Sequence, residues 1–236
     1  EVTAAGVGPE LATPRRYEIN AAWESPVLTS YGETISVPAA ALRVGAVHRA
    51  RVRMMDNTGR WSRWSAPLEF VAGPPSQPLA QQGQLRVTEI HFHPAGDLHE
   101  EFLEIMNVGT AEADLSAVAL TDGVRFRFAD GAVQTLGPGE RVVIVENLDD
   151  FRARYGAGIK VAGTFRDRLS NGGEKLTLTF GQNVLIQSFG YKDSWQPRAD
   201  GGGRSLEIID PRGAVESWSQ AAAWRASAVD GGTPGR

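Results

Sequence analysis

Lys175-Leu176-Thr177-Leu178-Thr179-Phe180 decides the fold class. Leu176, Leu178 and Phe180 fall on one side and Lys175, Thr177 and Thr179 on the other, the period of a strand with one buried and one wet face. The rhythm returns on both sides of this stretch. Strands are expected at Leu85–Phe92, Phe102–Asn107, Ala117–Leu120, Arg125–Phe128, Arg141–Glu146, Leu185–Tyr191 and Ser205–Ile209. Turn signals separate them, which argues a sandwich. The first strand changes face midway: Leu85 and Val87 share one side, Ile90 and Phe92 the other, and a bulge near Glu89 would explain the switch. Arg141-Val142-Val143-Ile144-Val145 is apolar on both sides, as a central strand should be. One helix is expected over 149–156, with Asp149 as cap, Phe151 and Tyr155 on one face and Gly156 as terminator.

The chain has 236 residues, 42% hydrophobic and 22% charged, the composition of an ordinary globular protein. No apolar run approaches the roughly 18 residues that span a bilayer. The start, Glu-Val-Thr, and the stop after Thr-Pro-Gly read as a segment of something longer. Cysteine is absent, so disulfides, thiolate metal sites and thiol nucleophiles are excluded. Arginine outnumbers lysine 21 to 3, which points to a GC-rich bacterial genome. The net charge is −4, with eight basic and seven acidic side chains in residues 1–80 and sixteen and twenty-one in residues 81–236. Neither part is a basic body, which disfavours non-specific DNA binding.

A linker is read at 74–84, rich in Pro, Gly and Gln, between a unit at 1–73 and a longer one at 85–236. In the first unit, Tyr17–Ala21, Thr34–Val37, Arg49–Met54 and Leu68–Phe70 read as strands, and Asp56-Asn57-Thr58-Gly59 as a turn. Trp61-Ser62-Arg63-Trp64-Ser65 follows the turn. This pattern resembles the later half of a fibronectin type III domain with its Trp-Ser-x-Trp-Ser motif. Trp61 and Trp64 are one polyproline II turn apart, and Arg49, Arg51 and Arg53 share a strand face, so a structural cation–π ladder is expected. His48 stands where the resemblance would place a corner tyrosine, and the first two strands of a complete domain are missing. The unit therefore reads as truncated or reduced.

The second unit carries an ordered series of motifs: Thr-Glu-Ile-His-Phe-His-Pro (88–94), Glu-Phe-Leu-Glu-Ile-Met-Asn (101–107), Asp-Leu-Ser-Ala-Val-Ala-Leu-Thr-Asp-Gly (114–123), Leu-Ser-Asn-Gly-Gly-Glu (169–174) and a closing Trp-Arg-Ala-Ser…Gly-Gly-Thr-Pro-Gly (224–235). The series resembles the lamin tail domain family in its bacterial form. The resemblance implies an all-β, immunoglobulin-like β-sandwich and a non-catalytic binding or scaffolding module, not an enzyme. Bacterial members sit in larger secreted or cell-surface proteins, beside fibronectin-like modules, kinase-like domains or hydrolases. An extracellular location is thereby expected by analogy.

Several residues could carry chemistry, and each has a plain structural alternative. His91, His93 and His99 with Asp97 are candidate zinc ligands, but a His-x-His pair alone is weak. Asp97, Glu100, Asp193 and Asp200 are oxygen ligands of the calcium type, yet no repeat organises them, and turn carboxylates are the favoured reading. Asp200-Gly201-Gly202-Gly203 lacks the Gly-Lys-Ser/Thr of a phosphate loop and leads into a strand. The resemblance implies a structural turn here, packed beneath a tryptophan. No Gly-x-Ser-x-Gly elbow is present. Neither a catalytic residue nor a cofactor is expected. Trp195 and Trp224 read as structural. Trp218 fits no motif and is expected to be exposed, a contact residue. Arg125, Arg127, Arg166 and Arg168 form a candidate basic patch. The expected partner is a protein or a cell-envelope polysaccharide. The alternatives are an accessory domain of an extracellular enzyme whose catalytic part lies elsewhere, and nucleic-acid binding through the four arginines.

Overall fold

The computed structural model describes residues 2–4, 21–30, 35–75, 79–96, 99–181 and 183–236. The chain divides into two compact units, Glu1–Gln77 with Gly181–Val184, and Pro78–Phe180 with Leu185–Arg236.

In the first unit, β1 (Val2–Ala4), β2 (Val47–Ala50) and β3 (Leu68–Val71) form an antiparallel sheet in that order. The expected strand at 17–21 lies mostly outside the described residues, as does Thr34, and Ile35–Val37 are not in a ladder. The Arg49–Met54 strand is shorter than expected: β2 ends at Ala50. Beyond it, serine hydroxyls replace backbone partners. Val52 N–H donates to Ser65 Oγ (3.1 Å) and Met54 N–H to Ser62 Oγ (3.0 Å). The serine amides answer, to Val52 O and Met54 O, both at 2.8 Å. The pairing is therefore saturated without being a regular ladder.

The second unit is the sandwich. Its elements are α1 (Ala80–Gln84), β4 (Leu85–His91), β5 (Phe102–Asn107), β6 (Ala113–Asp114), β7 (Val118–Asp122), β8 (Phe126–Arg127), β9 (Thr135–Leu136), β10 (Arg141–Val145), α2 (Leu148–Tyr155), β11 (Val161–Thr164), β12 (Lys175–Phe180), β13 (Val184–Gly190), β14 (Leu206–Ile208) and β15 (Trp224–Ala226). One sheet has the order β11-β10-β5-β4-β14-β15 and the other β13-β12-β7-β8, with β6-β9 as a small ribbon. Leu103, Ile105, Val142 and Ile144 of the first sheet pack against Val118, Leu120, Leu176 and Leu178 of the second in one core. The architecture is all-β and immunoglobulin-like.

Part of the expected linker is helical. Within α1, Gln81 is buried and its amide donates to Asp114 O (3.3 Å), while Gln82 donates to Leu185 O (2.7 Å). Glutamine amides reaching strand carbonyls tie down a stretch whose composition reads as loose. The bulge in β4 falls between Val87 and Glu89. It lets Val87 and Ile90 both face the core, and it leaves Glu89 on the outer face. Asn147, not Asp149, caps α2, its Oδ1 accepting from Asp149 N (2.9 Å) and Asp150 N (3.2 Å). Asp149 and Asp150 then lie in the first turn, where negative charge suits the helix dipole.

Candidate functional site

The outer face of the six-stranded sheet holds a row of buried, hydrogen-bonded carboxyls. Three Glu-Ile dipeptides, at 89–90, 104–105 and 207–208, each put isoleucine in the core and glutamate outside. Register then lines the glutamates up across three adjacent strands: Glu207 pairs with Glu89, and Glu89 with Glu104. All three are buried, because the closing Gly231-Gly232-Thr233-Pro234-Gly235 segment runs over them. Thr233 N–H donates to Glu89 Oε1 (2.7 Å), Gly235 N–H to Glu104 Oε2 (2.7 Å) and the Thr233 hydroxyl to Glu207 Oε1 (2.7 Å). Only glycine fits at 232: an added Cβ would collide with the Glu89 carboxylate. Arg141 Nε bonds Glu104 (3.0 Å) and Arg225 Nε bonds Glu207 (3.1 Å). Burial pushes Glu89 up to about 7 and raises Glu104 as well. Sequence reading missed this row; the Glu-Ile that recurs three times within residues 85–236 was the signal that could have found it.

A second acidic group lies at the end of the same sheet. Glu101 accepts from Leu169 N–H (2.7 Å), and burial pushes it to about 7. Arg168 bridges Glu101 (3.3 Å) and Glu146 (3.0 Å).

The candidate metal ligands do not converge. His91 is buried, directs Nδ1 at Glu100 O (3.2 Å), and is held down to about 4 by burial. His93 bonds Asp200 (2.6 Å), and His99 bonds Glu146 (2.9 Å). Asp97 lies outside the described residues. Of the calcium-type carboxylates, Glu100 pairs with Arg154, Asp200 with His93, and Asp193 accepts from Ser194 N–H. The described residues hold no group of three or more His, Cys, Asp or Glu arranged for a metal. The glycine turn packs against His93 and the Arg198 backbone rather than a tryptophan: a Cβ on Gly202 would approach Arg198 O to 2.6 Å.

Trp218 is a correction. It is fully buried in the core, and its Nε1 donates to Val87 O at 2.8 Å. The bulge gives Val87 unusual partners: Gln187 Oε1 accepts from its N–H at 3.0 Å, and Trp218 serves its carbonyl. Trp224 in turn donates to Trp218 O (2.8 Å) and stacks on Phe189 (5.6 Å).

The four candidate arginines are exposed, and Arg125 and Arg166 are backbone-paired neighbours. However, Arg125 is bound to Asp167 (2.8 Å) and Arg168 to two glutamates. Half of the positive charge is thus answered within the fold. In the first unit, Arg51 lies 4.7 Å over Trp64, and Arg53 lies 4.4 Å over Trp61 and 4.5 Å over Trp64. Arg49 meets Glu69 at 3.5 Å. His48 is buried and bonds the Arg43 backbone at 3.2 Å. Among the described residues no helix is long and apolar enough to cross a membrane.

No curated protein and no solved structure matches the chain. The core strands β4, β5, β7, β10 and β12, with α2 and the turns between them, fall within residues 78–193, and this stretch matches the family model of the Lamin Tail Domain, a non-catalytic immunoglobulin-like domain family.

Proposed function

We propose that the protein is a non-catalytic binding and scaffolding module of a larger secreted or cell-surface bacterial protein, engaging a protein or cell-envelope polysaccharide. One observation carries this reading most directly. The acidic groups and histidines of the sandwich named above are turned inward or toward partners within the fold. Glu89, Glu104 and Glu207 hold the closing segment, Glu101 and Glu146 hold Arg168, and the three histidines each serve a separate acceptor. Such an arrangement builds a rigid frame. The family match of residues 78–193 supports the same reading.

The first unit is proposed to be a truncated or reduced fibronectin-like module that precedes the sandwich in the chain. The paired serine hydroxyls and the arginine–tryptophan stack support that assignment. Binding is expected on loops and sheet edges. The test is a binding screen of the purified chain against cell-envelope fractions, polysaccharides and DNA. Saturable retention by one envelope or polysaccharide fraction is expected. Hydrolysis of any of them without saturable binding refutes the proposal, and retention by DNA alone replaces it with the nucleic-acid reading.

A further inference from the structure

The three buried glutamates differ in one respect. Glu104 has Arg141 and Glu207 has Arg225, but Glu89, between them, has no cation bound to it among the described residues. Its Oε1 accepts from the Ser205 hydroxyl (2.5 Å) and Thr233 N–H (2.7 Å). Its Oε2 faces the Thr233 hydroxyl at 3.3 Å. That hydroxyl owns one proton and lies closer, 2.7 Å, to Glu207 Oε1. Once the proton is given to Glu207, only lone pairs remain for Glu89. Two oxygens then meet without a hydrogen unless Glu89 supplies one.

We propose that Glu89 is protonated when residues 231–235 are closed over the sheet, donating through Thr233 to Glu207, and that this segment is a latch which acid tightens and loss of the Glu89 proton loosens. The other groups around it are accounted for. Glu104 on β5 and Glu207 on β14 flank Glu89 and disfavour a third negative charge. From α2, the Tyr155 hydroxyl donates to Gly231 O (2.6 Å), and Arg154 lies against Gly231 but is ion-paired to Glu100. His91, two residues along β4, is kept neutral by burial. Arg204 holds Asp230 (2.7 Å), which fixes the near end of the segment, and the glycines that follow give its backbone the conformational latitude an opening needs.

The direction with pH follows from linkage. Closed, Glu89 keeps its proton up to about 7; open, it returns to water and to the ordinary carboxyl range near 4.5. Opening therefore releases a proton between those limits. Its equilibrium constant rises by up to about tenfold per pH unit there and levels off above.

Amide hydrogen exchange at Thr233 and Gly235, corrected for the intrinsic rate, reads the opening. Protection is expected to fall about 10- to 100-fold from about pH 5 to 7, while the core amides of Val142 and Ile144 remain far more protected. In Glu89→Gln the amide nitrogen replaces the protonated oxygen, so protection should stay high and flat. Wild-type protection constant over this range overturns the proposal, and so does a Glu89→Gln variant that keeps the wild-type slope. Should that variant fail to fold, the carboxyl carbon of Glu89 followed by NMR in the wild type decides: a midpoint near 7 supports the latch, one near 4.5 refutes it.

Discussion

At the scale of single residues, side chains finish what an irregular backbone leaves undone. The bulge in β4 was legible, because Leu85, Val87, Ile90 and Phe92 cannot share a face in an unbroken strand. What the bulge requires was not legible. Val87 bonds through its N–H to Gln187 and through its carbonyl to Trp218. Those partners are 100 and 131 residues away, beyond any local pattern. This is why Trp218 reads as an orphan aromatic in the sequence and proves to be a core residue. Trp218→Phe keeps most of the apolar body but leaves the Val87 carbonyl buried and unserved. A loss of about 1–3 kcal/mol in urea unfolding is expected. Trp218→Ala should cost about 3–5 kcal/mol because a cavity is added. A Trp218→Phe variant as stable as wild type would show that the indole hydrogen bond contributes nothing.

At the scale of elements, long alternating strands announced themselves and short ones did not. Phe102–Asn107 and Lys175–Phe180 fall where the alternation put them. The two-residue strands β6 and β9 carry no period to detect. The parallel strand β11 contains Gly163, and its register with β10 slips between Val143 and Ile144. In Arg49–Met54 the alternation was real, but serine hydroxyls took over the pairing after Ala50. For α2 the spacing of Phe151 and Tyr155 predicted the right face, but Asp149 was the wrong cap. The Phe151 and Tyr155 rings meet at 4.5 Å, tilted by 37°, and Phe151 packs with Phe102, Val143 and Val145 on the outer side of the sheet. The cap belongs to Asn147 because its extended backbone lets Oδ1 reach two orphan amides, whereas Asp149 is already inside the helix. Asn147→Ala should therefore destabilise by about 1 kcal/mol, and Asp149→Ala by less, since only a dipole interaction is lost. Thermal melts of the two variants give the order, and the reverse order would return the cap to Asp149.

Across the whole sandwich, buried ionisable groups set the stability profile, and they were the part of the site least visible in sequence. Glutamate spacing says nothing of burial until strand order is known, and the order places β14, from the far end of the chain, beside β4. Glu89 and Glu101, raised to about 7 by burial, favour folding below about 4.5, and that contribution fades as pH rises to 7. His91, lowered to about 4, works oppositely: it is harmless above about 6.5 and costs stability as pH falls toward 4. With Glu104 raised as well, three carboxyls against one imidazole leave a net loss on going from mild acid to neutrality, roughly 3 kcal/mol if one such group remains uncompensated. The urea midpoint at about pH 5 should thus exceed that at about pH 7.5, against the usual preference of folded proteins for neutral conditions. Glu89→Gln should remove much of the difference by raising stability at the higher pH. A midpoint equal or greater at pH 7.5 in the wild type would mean that water reaches these carboxyls beneath the closing segment, and the row would then be an ordinary solvated face.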